Sequence, residues 1–570
     1  MNVIAMVEAR KLGRVRSALI LCSLVILSGC YHHHHDAAIP PPVGGVNQCV
    51  AGPFNVGQAD YNFENEFDLI PTGSTTPAYP DVDVRATIRY PAIMKGPVQP
   101  IAGSRRYPLI LFLHGNHATC PCSCSHACPA GDRIPNHLGY NYLLDLLASR
   151  GFIVVSVDGF DVTCAGSISM SDYEARGRLV LRHLQKWRDW DVIGGDPWGG
   201  LFRGRVDMNR IGLSGHSRGG EGVVAAEHIN RMEGLGFHIL AVNAIAPTAQ
   251  DPTIHYVPEV PYFLLMSASD GDVSNLQGLR TYDRTSLAGA AAQSEKSMLW
   301  VYGANHNFYN TVWTPGNGFA CASDDGVGEG RLTPPLQQLI GCQTIVPFFE
   351  LHLQNKPAVR QLFQGDRLVE GLDGVRMYWA YQHPDRREVD NFDFGDNPNT
   401  NSLGGAITTS GGFGTFDEFE FKPSGPDLFN ASFRHFTHGL VLGWNGPQTY
   451  ETVLPPANRD VSGYKALALR IGQILDGGVL NPLDTPRTVR VGLRTASGKV
   501  ANQDFDVTGV QSVPHPYEYN GGKTVLGTLR VPLTQFRDGT KPLPLNDIEA
   551  IILEFKGTGL VAIDDIQFSK

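Results

Sequence analysis

The stretch Arg210-Ile-Gly-Leu-Ser-Gly-His-Ser-Arg-Gly-Gly220 decides how this chain is read. Residues 207–214 read as a turn followed by a buried strand. Residues 221–232 carry Val223, Val224, Ala226 and Ile229 at helical spacing. Between them, Gly215-His216-Ser217-Arg218-Gly219 fits G-x-S-x-G, set in the strand–turn–helix context that this pattern requires. The reason is steric. A serine at so sharp a turn is strained and projects its hydroxyl above the sheet, and the flanking positions are too crowded for a Cβ. The helix that follows aims its first N–H groups at the same point, where they favour developing negative charge. Ser217 is therefore the candidate nucleophile.

Working outward, strands alternate with helices. Residues 82–90 alternate as a half-exposed strand, and 107–113 and 152–157 are apolar runs buried on both faces. Residues 138–150 form an amphipathic helix closed by Gly151, and Ser171-x-x-Glu174 is a capping box opening a helix to about Trp190. Strands follow at 239–245, 262–266 and, as the last, 297–302, with a closing helix over 343–354. The pattern predicts a doubly wound, mostly parallel sheet, with its chemistry beyond the C-terminal strand ends. Just past 262–266 lies Asp270, with Asp272 two residues on; just past 297–302 lies His306. Serine needs an imidazole to take its proton, and the imidazole needs a carboxylate to fix its tautomer. The chain order Ser217, Asp270, His306 supplies all three. Asp270 is preferred to Asp272 because it comes first after its strand. The oxyanion donors expected from this geometry are the backbone N–H groups of Arg218 and Asn116. His114 either braces that loop or is a buried histidine.

Residues 80–360 resemble the α/β-hydrolase superfamily. Leu111-Phe-Leu-His-Gly115, Leu147-Ala-Ser-Arg-Gly-Phe-Ile-Val-Val155 and Gly215-His-Ser-Arg-Gly-Gly220 are similar to chlorophyllase segments. Gly303-Ala-Asn-His306 is similar to the histidine loop of bacterial cutinases. The resemblance places the chain near the chlorophyllase, cutinase-like polyester hydrolase and dienelactone hydrolase branch. It implies hydrolysis of carboxylic esters through an acyl-enzyme, with no metal or other cofactor in the catalysis. Two departures bear on substrate: Asn116 stands where bacterial polyester hydrolases carry an aromatic residue, and a cysteine-rich insertion at 120–128 lies beside the oxyanion loop.

From residue 386 the composition changes to loops and short alternating segments at 466–471, 488–493, 528–533, 550–555 and 561–568, which predicts an all-β sandwich. Its ending resembles galactose-binding-like jelly rolls and carbohydrate-binding modules. That resemblance implies a possible glycan partner and a structural calcium; Asp390, Asp393, Asp564 and Asp565 are its candidate ligands, against a reading as solvated turns.

At the other end, Arg10, Lys11, Arg14 and Arg16 precede a short apolar run ending in Leu27-Ser28-Gly29-Cys30, which resembles a bacterial lipobox. The expectation is a signal peptide over 1–29, lipid on Cys30, and a tether over 30–49 holding an exported protein at the outer membrane or cell surface. The tether carries His32 to His35, read as solvated linker rather than metal site. Eight cysteines follow: Cys49, Cys120, Cys122, Cys124, Cys128, Cys164, Cys321 and Cys342. In an exported chain they read as disulfides rather than as a zinc knot around His126, with Cys321 pairing Cys342 and the other pairs unassigned.

At 570 residues the chain is too long for one core, and the division read here is a catalytic domain over 50–385 and a sandwich over 386–570. A net charge of −10, more acidic still without the basic leader, argues against nucleic acid as a partner. The partners expected are an ester substrate, small or polymeric, and a membrane reached through the lipid. The alternatives are a catalytically silent surface binding protein or, among enzymes, a polysaccharide-linked acetyl or feruloyl esterase rather than a lipid or polyester hydrolase.

Overall fold

All seven residues of the strand Tyr107–Leu113 are buried, because their side chains divide between two cores. Leu109, Leu111 and Leu113 face one, and Ile110 and Phe112 face the other. This strand, β4, sits inside a ten-stranded mixed sheet in the computed structural model. The structure describes residues 49–71, 74–164, 169–250, 256–287, 294–315, 330–367, 371–372, 374–392, 397–421, 437–482, 487–505, 512–517 and 523–570. Residues 44–570 form one compact unit.

In chain order the first sheet uses β1 (Asn55–Leu69), β2 (Tyr79–Ala92), β3 (Gly96–Pro97), β4, β5 (Ile153–Val157), β6 (Val206–His216), β7 (Ile239–Ile245), β8 (Tyr262–Ser267), β9 (Lys296–Val301) and β10 (Met377–Gln382). Their spatial order is β10-β9-β8-β7-β6-β4-β5-β2-β1-β3. The stretch β5-β4-β6-β7-β8-β9 is parallel; β2 runs antiparallel to both β5 and β1, β10 runs antiparallel to β9, and β3 pairs with β1 in parallel. Helices α2 (Asp172–Val192) and α3 (Arg218–Glu233) cover one face through residues such as Leu179 and Val223. Helices α1 (Asn141–Ser149) and α5 (Pro334–Leu353) cover the other, through Leu143 and Ile345, while α4 (Gly278–Leu287) connects β8 to β9. The chain runs from β4 to β5 on one side, then crosses back to β6 on the other. The crevice of such a sheet lies where the strand order reverses, here between the C-terminal ends of β4 and β6, paired at Leu113 and Gly215.

Several local expectations change. Strand β9 is not the last, since β10 follows it at the sheet edge, and β1 is a further long strand. Helix α5 starts at Pro334, not at 343: two prolines fit its first turn, where no N–H acceptor is needed. Ser171 precedes α2 but makes no side-chain cap; Glu174 pairs instead with Arg178 at 3.0 Å.

After Gln382 the chain leaves this sheet and, among the described residues, builds a two-stranded hairpin of Arg537–Asp538 with Lys541–Pro542 and two large antiparallel sheets. One contains Arg386–Asp390, Thr415–Glu420, His438–Asn445, Ala466–Gln473, Gly527–Pro532 and Thr558–Ser569. The other contains Ile407–Ser410, Gln448–Val453, Val489–Thr495, Val500–Phe505 and Ile548–Phe555. A single apolar cluster draws on both, with Leu467, Leu529 and Ile563 from the first and Tyr450, Val491 and Leu553 from the second. The two parts of the chain are pinned by charge: Arg530 Nη1 donates to Asp366 at 2.6 Å and Arg470 Nη2 to Asp283 at 2.8 Å.

That arginine overturns the calcium expectation for two of its four residues. Buried Arg470 also donates to Asp564 Oδ2 at 2.9 Å and lies 3.5 Å from Asp565 Oδ2. It supplies the positive charge a cation would have brought, and removing such a partner from a buried pair is strongly destabilising. Asp390 instead accepts from Ser402 Oγ at 3.1 Å, and Asp393 lies outside the described residues. Among the described residues no group of His, Cys, Asp and Glu is arranged to hold a metal.

The cysteine pairing is also corrected. Cys342, on α5, is bridged to Cys49 and not to Cys321, which lies outside the described residues. Helix α5 packs beside the N-terminal segment, so Cys49 reaches it although 293 residues separate them. Cys120 pairs Cys128 and Cys124 pairs Cys164, which leaves no thiolate set for a zinc knot; Cys122 is exposed. His126 Nε2 is 2.6 Å from Thr163 O. Cys30 and the leader lie outside the described residues.

Candidate active site

Ser217 stands between β6 and α3 with φ 58° and ψ −128°, a left-handed conformation that a non-glycine residue adopts only under constraint. The constraint is crowding. A Cβ on Gly215 would lie 2.1 Å from Gly219 O, and one on Gly219 would lie 2.3 Å from Leu113 O. The elbow is thus packed against the end of β4, and the loop after β4 is as tight: a Cβ on Gly115 would meet Ser217 Cβ at 2.4 Å. His114 braces that loop. Its Nε2 accepts from Gly159 N–H at 2.9 Å, and Arg176 donates to its carbonyl at 3.2 Å.

Asp270 and His306 meet. His306 Nδ1 donates to Asp270 Oδ2 at 2.8 Å, and both side chains are almost wholly buried. The other carboxylate oxygen, Oδ1, accepts from the N–H groups of Asp272 at 3.0 Å and Val273 at 2.6 Å. This tautomer leaves the buried Nε2 as an acceptor. Asp272 Oδ2 lies 3.6 Å from Nε2, on a side chain 60% exposed. So both aspartates approach the ring: Asp270 from beneath with a full hydrogen bond, Asp272 from solvent.

The histidine loop is held from three sides. His216 Nε2 donates to His306 O at 2.8 Å while its Nδ1 accepts from Tyr140 OH at 3.0 Å. Burial drives the His216 pKa well below the ordinary histidine value, so it serves as a neutral brace. Gln337 of α5 spans Asn305, accepting from its N–H at 3.0 Å and donating to its carbonyl at 2.8 Å. The rings of Trp313 and His216 lie 4.9 Å apart, and Trp313 stacks on His117 at 4.8 Å. Burial, with His306 and His114 nearby, pushes the His117 pKa down to about 4, so it too is neutral near pH 7.

Above these groups opens a cavity of about 230 Å³ lined by Asn116, Ser217, Arg218, Thr248, Gln250, Asp272, Val273, Ser274, Asn275 and Gln277. Ser217, Asn116 and Arg218 therefore share one opening with Asp272, through which the buried His306–Asp270 pair adjoins it: Asp272 Oδ2 is 3.6 Å from His306 Nε2. The wall is almost entirely amide, hydroxyl and charge, with Val273 its one apolar side chain. Glu221, in the first turn of α3, fixes part of that wall: it accepts from Thr248 Oγ1 at 2.5 Å and from Gln250 N–H at 2.6 Å. Asn116 Oδ1 is fixed by Cys164 N–H at 2.8 Å, beside the Cys124–Cys164 bridge. His216, Tyr140, Gln337 and Glu221 are supports that the sequence reading did not single out. Only the placement of His216 inside G-x-S-x-G marked any of them.

No protein-family model matches the chain. Over 165 residues, 29% of this chain and 44% of the relative, it is 26% identical to bis(hydroxyethyl) terephthalate hydrolase from Streptomyces coelicolor. The chain thus spans less than half the length of that curated relative. The match makes it a distant relative of an ester hydrolase and supports a place among the hydrolases.

Proposed function

We propose that this protein is an exported serine hydrolase that cleaves carboxylic esters through an acyl-enzyme, on an α/β-hydrolase framework followed by a jelly-roll sandwich. The observation that carries the reading is the buried 2.8 Å pair of His306 Nδ1 and Asp270 Oδ2, next to Asp272 of the cavity that Ser217 lines. In this mechanism Ser217 Oγ attacks the acyl carbon and its proton passes to His306 Nε2. Asp270 stabilises the imidazolium that forms. The N–H groups of Arg218 and Asn116 receive the oxyanion, aided by the α3 N-terminus. His306 then protonates the departing alcohol, and water repeats the sequence to free the acid and Ser217.

The cavity favours one branch of the reading. A small, polar chamber suits a short acyl group on a hydroxyl-rich alcohol, such as an acetylated saccharide, better than a long acyl chain or an aromatic polyester. The leader, the lipobox-like Cys30 and three disulfides together support export and a lipid anchor. Ser217→Ala should abolish p-nitrophenyl acetate turnover and fluorophosphonate labelling while the circular dichroism spectrum is unchanged. Turnover near wild type would remove the serine from the mechanism, and an unlabelled wild-type protein would favour a binding function instead. Across short acyl, long acyl, feruloyl and polymer substrates, short acyl esters of polar alcohols should show the highest kcat/KM.

A further inference from the structure

The antiparallel part of the chain reaches the turn that carries Asp270 through Lys523. Lys523 is completely buried, and its Nζ donates to Ala268 O at 2.6 Å and to Asp270 O at 3.4 Å. Both carbonyls belong to the turn after β8 that carries the Asp270 carboxylate. Lys523 is itself held in place: its N–H and carbonyl exchange hydrogen bonds with Tyr517 at 2.7 and 2.8 Å. The Tyr517 ring packs edge-on against Tyr302, at the end of β9, with centroids 4.9 Å apart, and Tyr302 OH donates to His515 O. From the catalytic side, the same turn is fastened by Ala268 N–H to Val301 O at 3.0 Å and Ser269 N–H to Ala304 O at 2.7 Å.

Burying an ammonium is unfavourable unless its protons are accepted, and an apolar side chain would fill the same space without that penalty. What the charge adds is direction. Two carbonyls of one turn point at one nitrogen, which fixes the peptide plane between Ala268 and Ser269 and the one between Asp270 and Gly271. Those planes set the direction of the Asp270 side chain, and so the 2.8 Å contact with His306.

We propose that Lys523 is a positioning residue for Asp270, so that the C-terminal sandwich is part of the catalytic machinery and not a detachable binding module. The inference rests on the Ser217–His306–Asp270 reading. The test is kinetic, on the full chain. Misplacing a reacting group by a fraction of an ångström to one ångström lowers rates by up to about 100-fold. Lys523→Met should therefore lower kcat about 10- to 100-fold with KM within about threefold, and slow fluorophosphonate labelling in parallel. Lys523→Arg should recover much of the loss. Arg530→Met, which breaks the Asp366 pair elsewhere in the same interface, should lower Tm and leave kcat unchanged. Should Lys523→Met fail to fold, Lys523→Arg is compared with Lys523→Gln: a higher kcat for arginine supports the inference, and equal values overturn it. Wild-type kcat in Lys523→Met, or an equal loss in Arg530→Met, overturns it while leaving the triad intact. Turnover by Ser217→Ala overturns both.

Discussion

Replacing Asp270 by asparagine keeps the size of the side chain and changes only its hydrogen-bonding pattern. The carboxylate serves three donors on two oxygens: His306 Nδ1–H on Oδ2, and the N–H groups of Asp272 and Val273 on Oδ1. Asparagine has one acceptor oxygen and one donor NH2. The two backbone donors cannot turn away without undoing the turn, so the amide oxygen stays with them. The NH2 group then faces His306, whose Nδ1 must become the acceptor and whose Nε2 must carry the proton. That tautomer cannot take a proton from Ser217. A reversal of this kind lowers kcat about 10⁴-fold, equivalent to about 5 kcal/mol of transition-state stabilisation. Asp272→Asn removes a carboxylate that is 60% exposed and 3.6 Å from Nε2. Solvent screens it, and the loss should stay below about tenfold. Both variants are assayed for kcat on p-nitrophenyl acetate at pH 8, with fluorophosphonate labelling rates beside them. The reasoning fails if Asp270→Asn stays within tenfold of wild type, or if Asp272→Asn proves the more damaging change.

Two further outcomes follow from single residues. Glu227 on α3 is 4% exposed, with Oε1 3.3 Å from Arg231 Nε and Oε2 without a partner. Burial pushes its pKa up to about 7, against the pull of Arg231. The folded state then keeps a proton that the unfolded state releases, so stability falls as pH rises from about 4.5 to about 7, by about 3 kcal/mol over that window. Glu227→Gln should flatten the Tm profile there and raise Tm at pH 8; parallel profiles would contradict the assignment. In a bacterial host, Cys30→Ser should abolish palmitate incorporation and release the protein from membranes, whereas continued sedimentation with them would rule out the lipid anchor.

How much of this was legible depended on whether the signal was local. β4 and β5 show as apolar runs because a strand covered on both faces is apolar along nearly all its length, and the five short segments from residue 466 onward show by alternation. β1 carries alternation too, with Ala59, Tyr61 and Phe63 between Gln58, Asp60 and Asn62, yet its solvent face is so polar that it passes for a loop. β10 is six residues whose strand character comes from Tyr378, Trp379 and Tyr381 and from pairing with β9. At the site, Ser217 is marked by its glycines, and Asp270 and His306 by their place after strands. The supports are not marked. Gln337, Glu221 and Lys523 are ordinary polar residues whose meaning lies in what the fold brings beside them. The Cys49–Cys342 bridge was illegible for the same reason, since the spacing of cysteines says nothing about which helix a distant segment packs against.

The edge strand β10 has one more consequence. It pairs with all six residues of β9, from Lys296 to Val301, and only residues 383–385 separate it from the strand Arg386–Asp390, which pairs with Thr558–Ser569. One short run of backbone therefore seals the rim of the first sheet and opens the next. A shortened chain ending before Met377 would leave β9 with a bare ladder of donors and acceptors, a template for sticking to other copies. The three-residue joint is also too short for the pieces to swivel apart or trade places with a neighbouring molecule. Anyone trimming this protein to its hydrolytic portion should expect insolubility before inactivity.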